Sequence, residues 1–242
     1  MNLSVDIGNT DLKLCVISKG KVIDSFRLKK YDITALSEVF ERYKAIGKAI
    51  MVCSGERCED LESVISSKVE KFMIFSSQTP TPIANLYATP ESLGSDRLAA
   101  GVGAKEVFGS ENVLIIDFGT AITVDVVNKN GEYLGGNISL GLNSRYRALN
   151  EYTFSLPLCS SPDEIQMPAS DSVTAIESGV VLSVIYEIEG YIREYSSRFE
   201  DLKVVFTGGD GEFFAQKINY PITVESNLVS LGLNRILEYN ED

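Results

Sequence analysis

The stretch that decides the fold is LSVDIGNTDLKLCVISKG, at positions 3–20. Its first apolar run, 3–7, ends in the turn DIGNT at 6–10, and a second apolar run follows at 12–17. Lys19 and Gly20 separate the second run from a third, at 22–26. Short apolar runs joined by glycine-containing turns are typical of antiparallel strands. The stretch therefore predicts a three-stranded antiparallel meander.

Helix and strand patterns alternate after this meander. Apolar residues recur at helical spacing over 33–43, a strand-like run occupies 49–53, and a second helical stretch follows. Later, the pattern predicts a long helix over 172–195, a strand at 204–206 and a closing helix at 228–237. Strands that give way to alternating helix and strand indicate an α/β fold.

The second half of the chain begins in the same way as the first. An apolar run at 113–116 leads into DFGT at 117–120, a further run at 123–127 and a turn at 130–131. The interval from Asp6 to Gly20 equals that from Asp117 to Gly131, fourteen positions in each case. The match predicts an internal duplication with a boundary near 111–112.

Composition narrows the classes of function. The net charge of -12 is spread along the chain, so we expect no nucleic-acid partner. No leader-like or bilayer-length apolar run occurs, so we expect a cytoplasmic protein without a membrane partner. The four cysteines form no CxxC pair and are expected to be reduced. Because histidine is absent, a general base must be a carboxylate, Lys, Tyr or Cys.

The DIGNT turn has the form of a phosphate-binding turn. Asp6 ends a strand beside backbone N–H groups, an arrangement that suits a magnesium-bound phosphate. Gly8 allows close approach, Asn9 and Thr10 offer side-chain donors, and Lys13 can meet a phosphate as a point charge. An ordinary hairpin turn is the alternative.

Two further turns of this kind strengthen the interpretation that the chain binds the phosphates of a nucleotide. DFGTA at 117–121 and TGGD at 207–210 each follow an apolar strand-like run. Facing phosphate turns and a third glycine turn are the layout of actin-like ATPases, which bind ATP between two similar domains. The P-loop and Rossmann motifs are absent from the sequence. We therefore expect two ribonuclease-H-like domains, 1–112 and 113–242, with a nucleotide cleft between them.

The segment GSDR at 94–97 places a carboxylate and a guanidinium at the start of an alanine-rich helix. Asp96 can accept a proton from a substrate hydroxyl that attacks the γ-phosphate, and Arg97 can bind a carboxylate with two hydrogen bonds. The alternative is a helix cap by Ser95 or Asp96 and a surface ion pair for Arg97.

Together these motifs resemble the ordered signature of type III pantothenate kinases. The matching segments are DIGNT at 6–10 with Lys13, GSDR at 94–97, DFGTA at 117–121 and GGNISLG at 135–141. With the TGGD turn, the resemblance covers nearly the whole chain. It implies ATP-dependent phosphorylation of pantothenate to 4'-phosphopantothenate, the first step of coenzyme A biosynthesis.

The resemblance also implies roles for individual residues. The residues implied to hold ATP are Asp6, Ile7, Gly8, Asn9, Thr10, Asp11, Leu12, Lys13 and Thr120. Asp117 would hold a monovalent cation, K⁺ or NH₄⁺, and Asp96 would be the general base. The residues implied to contact pantothenate are Tyr87, Gly94, Ser95, Asp96, Arg97 and Ser172. A homodimer is implied, in which the partner subunit helps to close the pantothenate pocket.

Some positions depart from the family pattern or allow another interpretation. Leu140 stands where the family usually has proline, and Ser172 stands where it usually has threonine. Taken alone, Tyr87 is better explained as a loop aromatic that covers the core. The rival functions are another phosphotransferase or polyphosphate phosphohydrolase of the superfamily, and a non-catalytic regulatory relative. The regulatory relative is expected to lack Asp6 or Asp96, and both are present.

Overall fold

The computed structural model describes residues 1–8, 11–29, 32–54 and 58–241. Its strands are β1 (Asn2–Ile7), β2 (Asp11–Ser18), β3 (Lys21–Lys29), β4 (Lys48–Cys53), β5 (Lys71–Ile74), β6 (Ala84–Asn85), β7 (Val113–Phe118), β8 (Ala121–Val127), β9 (Glu132–Leu140), β10 (Lys203–Gly208) and β11 (Ile222–Val224). Its α-helices are α1 (Ile33–Arg42), α2 (Glu59–Lys68), α3 (Ser95–Phe108), α4 (Leu142–Tyr152), α5 (Ser172–Arg198), α6 (Gly211–Ala215) and α7 (Leu228–Tyr239), and a 3₁₀-helix spans Pro90–Ser92.

The first sheet contains the meander that the opening stretch predicts. β1 pairs antiparallel with β2, and β2 pairs antiparallel with β3. On its other side β1 pairs parallel with β4, which pairs parallel with β5, so the order is β3-β2-β1-β4-β5. Side chains along β3 alternate between exposed and half-buried, as expected of an edge strand, whereas β1 contributes Leu3, Val5 and Ile7 to the core.

The second sheet repeats this strand order. Its order is β11-β10-β7-β8-β9-β6, so β9-β8-β7-β10-β11 corresponds to β3-β2-β1-β4-β5, with β6 added beside β9. The parallel pairs β7–β10 and β10–β11 correspond to β1–β4 and β4–β5. The shared order agrees with the internal duplication that the spacing of the two turns predicts.

The chain divides into two compact units. Unit 1 comprises Met1–Glu111, Val126–Gly135 and Asn227–Asp242, and unit 2 comprises Asn112–Asp125 and Gly136–Ser226. The ribonuclease-H-like domains expected at 1–112 and 113–242 stay a prediction at those bounds. The two units differ from the expected domains chiefly because α7, near the end of the sequence, belongs to unit 1.

Two glycines bring α7 against α3 inside unit 1. A Cβ atom on Gly103 would lie 2.1 Å from the Leu228 carbonyl oxygen, and one on Gly232 would lie 1.8 Å from the Ala99 carbonyl oxygen. The two helices therefore pack with their backbones in contact. This packing supports the helix whose first turn contains Ser95, Asp96 and Arg97.

Within the described ranges, no helix has both the length and the apolar character needed to cross a bilayer.

Candidate active site

The first phosphate turn lies at the carboxyl end of β1. Asp6 is the penultimate residue of this strand and pairs in register with Lys13 of β2. The Gly8 N–H donates a hydrogen bond to the Asp11 carbonyl oxygen at 3.0 Å. Asn9 and Thr10, both predicted ATP ligands, lie outside the described residues.

The other predicted ATP ligands of this turn differ in what they can offer. The side chains of Ile7 and Leu12 are fully buried in the core, so only their backbone groups can reach a nucleotide. The Asp11 carboxylate faces Arg27 on β3, with Arg27 Nε 3.8 Å from Asp11 Oδ2, and both side chains are largely exposed. Such an exposed pair contributes little to stability, so Asp11 can rearrange around a ligand.

Asp96 lies in the first turn of α3. The N-cap of this helix is Gly94, which makes no side-chain capping bond. Asp96 Oδ1 accepts a hydrogen bond from the Arg97 N–H at 2.9 Å, and Asp96 Oδ2 accepts one from Ser54 Oγ at 2.9 Å. A Cβ atom at position 94 would lie 2.6 Å from Asp96 Oδ1, so the glycine leaves the space that this carboxylate oxygen occupies.

Ser54 connects Asp96 to the first phosphate turn. It follows β4, which runs parallel to β1, and its N–H donates to the Ile7 carbonyl oxygen at 3.0 Å. The carboxyl ends of β1 and β4 therefore meet beside Asp96. In open α/β sheets, ligands bind at this edge of the strands.

Arg97 and Tyr87 form the adjacent part of the site in unit 1. Arg97 is only 7% exposed, which argues against the surface ion pair considered from the sequence. Its Cζ lies 5.7 Å from the centroid of the Tyr87 ring, which stands 6.4 Å from the ring of Tyr133. A Cβ atom on Gly135 would lie 3.3 Å from the Tyr87 ring. The structure thus brings together Tyr87, Gly94, Ser95, Asp96 and Arg97, five of the six residues expected to contact pantothenate.

The second phosphate turn, DFGT in unit 2, also follows the carboxyl end of a strand, and its backbone hydrogen bond spans one residue fewer than that of the first. Asp117 is the penultimate residue of β7, and the Gly119 N–H donates to the Ala121 carbonyl oxygen at 3.1 Å. Gly208, at the end of β10, has a φ of +85°, and a Cβ atom there would lie 2.4 Å from Asp117 Oδ1. The space beside this carboxylate oxygen therefore exists because residue 208 is glycine.

Thr120, the remaining predicted ATP ligand, is exposed at the tip of this turn. Its carbonyl oxygen accepts hydrogen bonds from the Gly141 N–H at 3.0 Å and from Ser144 Oγ at 2.7 Å. These bonds fix the backbone at Thr120, while its side chain stays accessible.

Ser172, the sixth residue expected to contact pantothenate, is the first residue of α5 in unit 2. Asp171 caps this helix: its Oδ1 accepts from the Thr174 N–H at 2.9 Å, and Thr174 Oγ1 accepts from the Asp171 N–H at 3.4 Å. The hydrogen bond from the Thr174 N–H lowers the pKa of Asp171, because it favours the ionised carboxylate. This reciprocal capping box fixes the backbone from which the Ser172 side chain projects.

A mainly apolar groove with a volume of about 720 Å³ lies along α4 and α5 in unit 2. Ser172 is part of its wall, and Tyr152 and Leu140 at its edges are 83% and 52% exposed. The side chains that line it also include Ala148, Leu149, Ala175, Ile176 and Val180.

Sequence comparison identifies the family to which the chain belongs. The model of the family described as type III pantothenate kinase matches residues 2–194. A type III pantothenate kinase of Phocaeicola vulgatus is 38% identical over 100% of this chain and 99% of its own length. One of Bacteroides fragilis is 38% identical over 99% of this chain and 98% of its own length. The chain belongs to the type III pantothenate kinase family.

Solved structures similar to this type III pantothenate kinase family member confirm the expected fold class. Component A of the (R)-2-hydroxyglutaryl-CoA dehydratase of Acidaminococcus fermentans has a TM-score of 0.56 at 14% identity, over 98% of this chain and 96% of its own. The ROK hexokinase of Thermus thermophilus has a TM-score of 0.55 at 12% identity, over 99% of both chains. At these identities the likeness shows the fold alone: the mixed α/β fold of actin-like ATPases and ROK sugar kinases, here with two sheets.

Leu140 departs from the proline usual in type III pantothenate kinases, and the structure shows what stabilises the segment here. The Leu140 carbonyl oxygen accepts a hydrogen bond from Arg145 Nε at 2.8 Å. Arg145 also forms an ion pair with Glu187 and donates to Ser183 Oγ at 3.0 Å. The segment between β9 and α4 is thereby tied to α5 without the rigid ring of a proline.

Ser54 contacts the predicted base Asp96 in this type III pantothenate kinase family member, and sequence analysis did not single it out. The one available signal was its position directly after the strand-like run at 49–53, since polar residues at the carboxyl ends of parallel strands often line binding sites. The contact with Asp96, 42 residues further along, depends on how α3 packs and has no local sequence pattern.

Proposed function

We propose that this chain transfers the γ-phosphoryl group of ATP to the primary hydroxyl of pantothenate, in the first step of coenzyme A biosynthesis. Membership of the type III pantothenate kinase family supports the reaction and the substrates. The structural observation that carries the proposal is the position of Asp96, joined through Ser54 to the carboxyl end of β1, where the first phosphate turn begins. The enzyme acts in the cytoplasm, where ATP is available.

Asp96 is the general base of this reaction. Its carboxylate accepts the proton of the pantothenate hydroxyl as the hydroxyl oxygen forms a bond to the γ-phosphorus. The bond from that phosphorus to the bridging oxygen breaks, and ADP leaves with the electron pair. A carboxylate is sufficient, because a loose transition state requires removal of the proton only late in the transfer.

Arg97 recognises the carboxylate of pantothenate. A guanidinium can bind a carboxylate with two parallel hydrogen bonds, and its position over Tyr87 restricts its rotation. Tyr87, Gly94 and Ser95 complete this part of the pocket, and Ser172 supplies a further hydroxyl. A serine keeps the donor and acceptor of the usual threonine and loses only its methyl group.

ATP and its Mg²⁺ ion are bound by the turn from Asp6 to Lys13 and by Thr120. The described part of the chain holds no cluster of three acidic or thiol side chains able to bind a metal by itself. Mg²⁺ on nucleotide phosphates needs only one or two protein carboxylates, because phosphates and waters supply its other ligands, and Asp6 provides one. When bound, the ion offsets the negative charge of the phosphates.

Asp117 binds the monovalent cation, K⁺ or NH₄⁺. The glycine at 208 leaves open the space beside Asp117 Oδ1, and a Cβ atom there would also lie 2.5 Å from the Phe118 carbonyl oxygen. A carboxylate and a carbonyl oxygen are the hard donors that such cations prefer.

A homodimer completes the enzyme, and the groove along α4 and α5 receives the second copy. The groove is mainly apolar, and exposed aromatic and aliphatic side chains extend the apolar surface around it, among them Tyr152, Phe154, Leu158 and Met167. Patches of this kind on a globular protein mark association sites. Because Ser172 lines the groove, a partner seated there lies next to a residue assigned to pantothenate.

The test is ADP release by the purified protein with MgATP and K⁺, with and without pantothenate, and with Na⁺ in place of K⁺. We expect ADP release that requires both pantothenate and K⁺. Asp96→Asn should lower kcat about 100-fold or more while the protein stays folded. Asp60→Asn, at an exposed position in the first turn of α2, is the matched control and should keep wild-type activity. If the wild-type protein binds ATP but its ADP release does not depend on pantothenate, pantothenate is ruled out as the substrate.

A further inference from the structure

Ser54 makes two hydrogen bonds that point in different directions. Its backbone N–H donates to the Ile7 carbonyl oxygen of β1 at 3.0 Å, and its Oγ donates to Asp96 Oδ2 at 2.9 Å. The first bond fixes the serine to the strand that leads into the phosphate turn. The second fixes the carboxylate of Asp96 to the serine.

The two oxygens of Asp96 are held by different parts of unit 1. Oδ1 accepts from the Arg97 N–H, which belongs to the same helix turn as Asp96 itself. Among the residues that the structure describes, Ser54 is the one whose hydrogen bond, to Oδ2, ties the carboxylate to the sheet. Without it, the carboxylate can rotate about its side-chain bonds while α3 keeps its position.

From this geometry we infer that Ser54 is a positioning residue for phosphoryl transfer: its hydroxyl orients the Asp96 carboxylate toward the phosphate turn. The inference rests on the proposed function, because it assigns Asp96 the role of general base. Ser54 acts through Asp96, and the carboxylate oxygen that accepts its hydrogen bond keeps a second lone pair for the substrate hydroxyl.

The Ser54 hydroxyl has no evident role in stabilising the fold. The residue is exposed, so its hydroxyl could be satisfied by water instead. It caps no helix, since α2 begins at Glu59 and its N-cap is Cys58. An exposed hydrogen bond adds little to stability, whereas a misoriented base slows a reaction directly.

The test compares Ser54→Ala, Ser54→Thr and Ser66→Ala in the full-length protein. Ser54→Ala should lower kcat about 10-fold and change KM for ATP and for pantothenate by less than about 3-fold. Ser54→Thr keeps the hydroxyl and should recover most of the lost kcat. Ser66 is an exposed serine of α2 whose Oγ donates to the Ser63 carbonyl oxygen within the same helix, so Ser66→Ala should match the wild type.

A double mutant separates positioning of the base from a general loss of structure. In the Asp96→Asn background, adding Ser54→Ala should lower kcat less than about 2-fold, because the carboxylate that Ser54 orients is already gone. The inference is overturned if Ser54→Ala keeps the wild-type kcat or if Ser54→Thr is as slow as Ser54→Ala. It is also overturned if Ser54→Ala lowers kcat by the same factor in the Asp96→Asn background as in the wild type. A wild-type protein that does not phosphorylate pantothenate overturns the proposed function, and the inference falls with it. An active wild type with an unaffected Ser54→Ala variant overturns the inference alone.

Discussion

The guanidinium of Arg97 lies over the ring of Tyr87, with Cζ 5.7 Å from the ring centroid, and Arg97 is buried. An arginine in this position is stabilised by the face of the aromatic ring, and its planar fork is held before any ligand arrives. A lysine would carry the same charge on a flexible stem and lack the fork. This geometry supports the proposed role of Arg97 in binding the planar carboxylate of pantothenate.

Arg97→Lys should raise KM for pantothenate about 10-fold or more and lower kcat less, because the paired hydrogen bonds to the substrate carboxylate are lost while charge is kept. Arg235→Lys on α7 is the control: Arg235 forms an exposed 3.7 Å ion pair with Glu106 of α3, so KM should not change. Steady-state kinetics at varied pantothenate measure both. An unchanged KM in Arg97→Lys would remove Arg97 from the substrate pocket.

Gly208→Ala should weaken activation by K⁺, since its Cβ would occupy the space beside Asp117 Oδ1. We expect the K⁺ concentration for half-maximal activity to rise about 10-fold or more, by the loss of a coordinating oxygen. Gly131→Ala separates this effect from backbone strain. Gly131 also has a positive φ, +77°, but no atom lies within 4 Å of a Cβ there, so K⁺ activation should stay normal. A similar K⁺ response in both variants would contradict the assignment of Asp117.

Leu149→Glu should convert the protein to a monomer, because it places a charge in the apolar groove along α4 and α5. Light scattering after size-exclusion chromatography measures the mass directly. Val107→Glu, at an exposed apolar position of α3 outside the groove, should leave the dimer intact. A wild-type protein that is monomeric at micromolar concentration would refute the dimer.

Gly232→Ala and Gly190→Ala should change stability in opposite directions. At 232 the added methyl group meets the Ala99 carbonyl oxygen at 1.8 Å, and overpacking of this kind costs about 1–3 kcal/mol. At 190, inside α5, the nearest atom is a terminal arginine nitrogen at 3.9 Å, so alanine should stabilise the helix by about 0.5–1 kcal/mol. Thermal unfolding of the two variants tests the contact between α3 and α7. A stable Gly232→Ala would show that the helices do not touch as described.

Asp171→Ala should lower Tm at neutral pH, because it removes the cap of α5. Since the pKa of Asp171 is lowered in the folded protein, its ionised carboxylate stabilises the fold above its unfolded pKa, and that contribution disappears as pH falls through the lower folded value. The Tm difference should therefore narrow below about pH 4. Asp171→Asn keeps a capping oxygen without the charge, so its Tm difference from the wild type should be smaller than that of Asp171→Ala at neutral pH and should narrow over the same pH range. If the Tm difference between Asp171→Ala and the wild type stays constant down to about pH 3, the charge of Asp171 does not contribute to the cap.

Sequence patterns predicted the elements that have strong local periodicity. The meander and the long helix α5 lie where the spacing of apolar residues places them, and α5 ends only slightly beyond the expected 195, at Arg198. Helix α3 begins at Ser95, inside the GSDR segment, where an alanine-rich helix was expected. The short strands β5, β6 and β11 and the helix α4 were not predicted. A strand of two to four residues is too short to show a period of two, and α4 carries several polar residues on its surface.

The candidate site was predictable to the extent that its residues are contiguous in sequence. The DIGNT, GSDR and DFGTA segments could be recognised because each is a turn or a helix start with its own chemistry. Ser54 was missed because its role arises from the packing of β4 beside β1 and of α3 near both strands. Likewise, the requirement for glycine at 208 depends on the neighbouring strand and not on the turn that contains it.

The position of α7 in unit 1 has a consequence for the order of events during translation. Residues 228–239 emerge from the ribosome after all of unit 2 has been made, and yet they pack on α3, the helix that carries Asp96. Unit 2 has its whole sequence available first, while α3 must wait for its packing partner. The nascent chain therefore cannot complete the packing of α3 until synthesis has passed residue 232, and a chain that terminates before α7 leaves α3 without this packing partner.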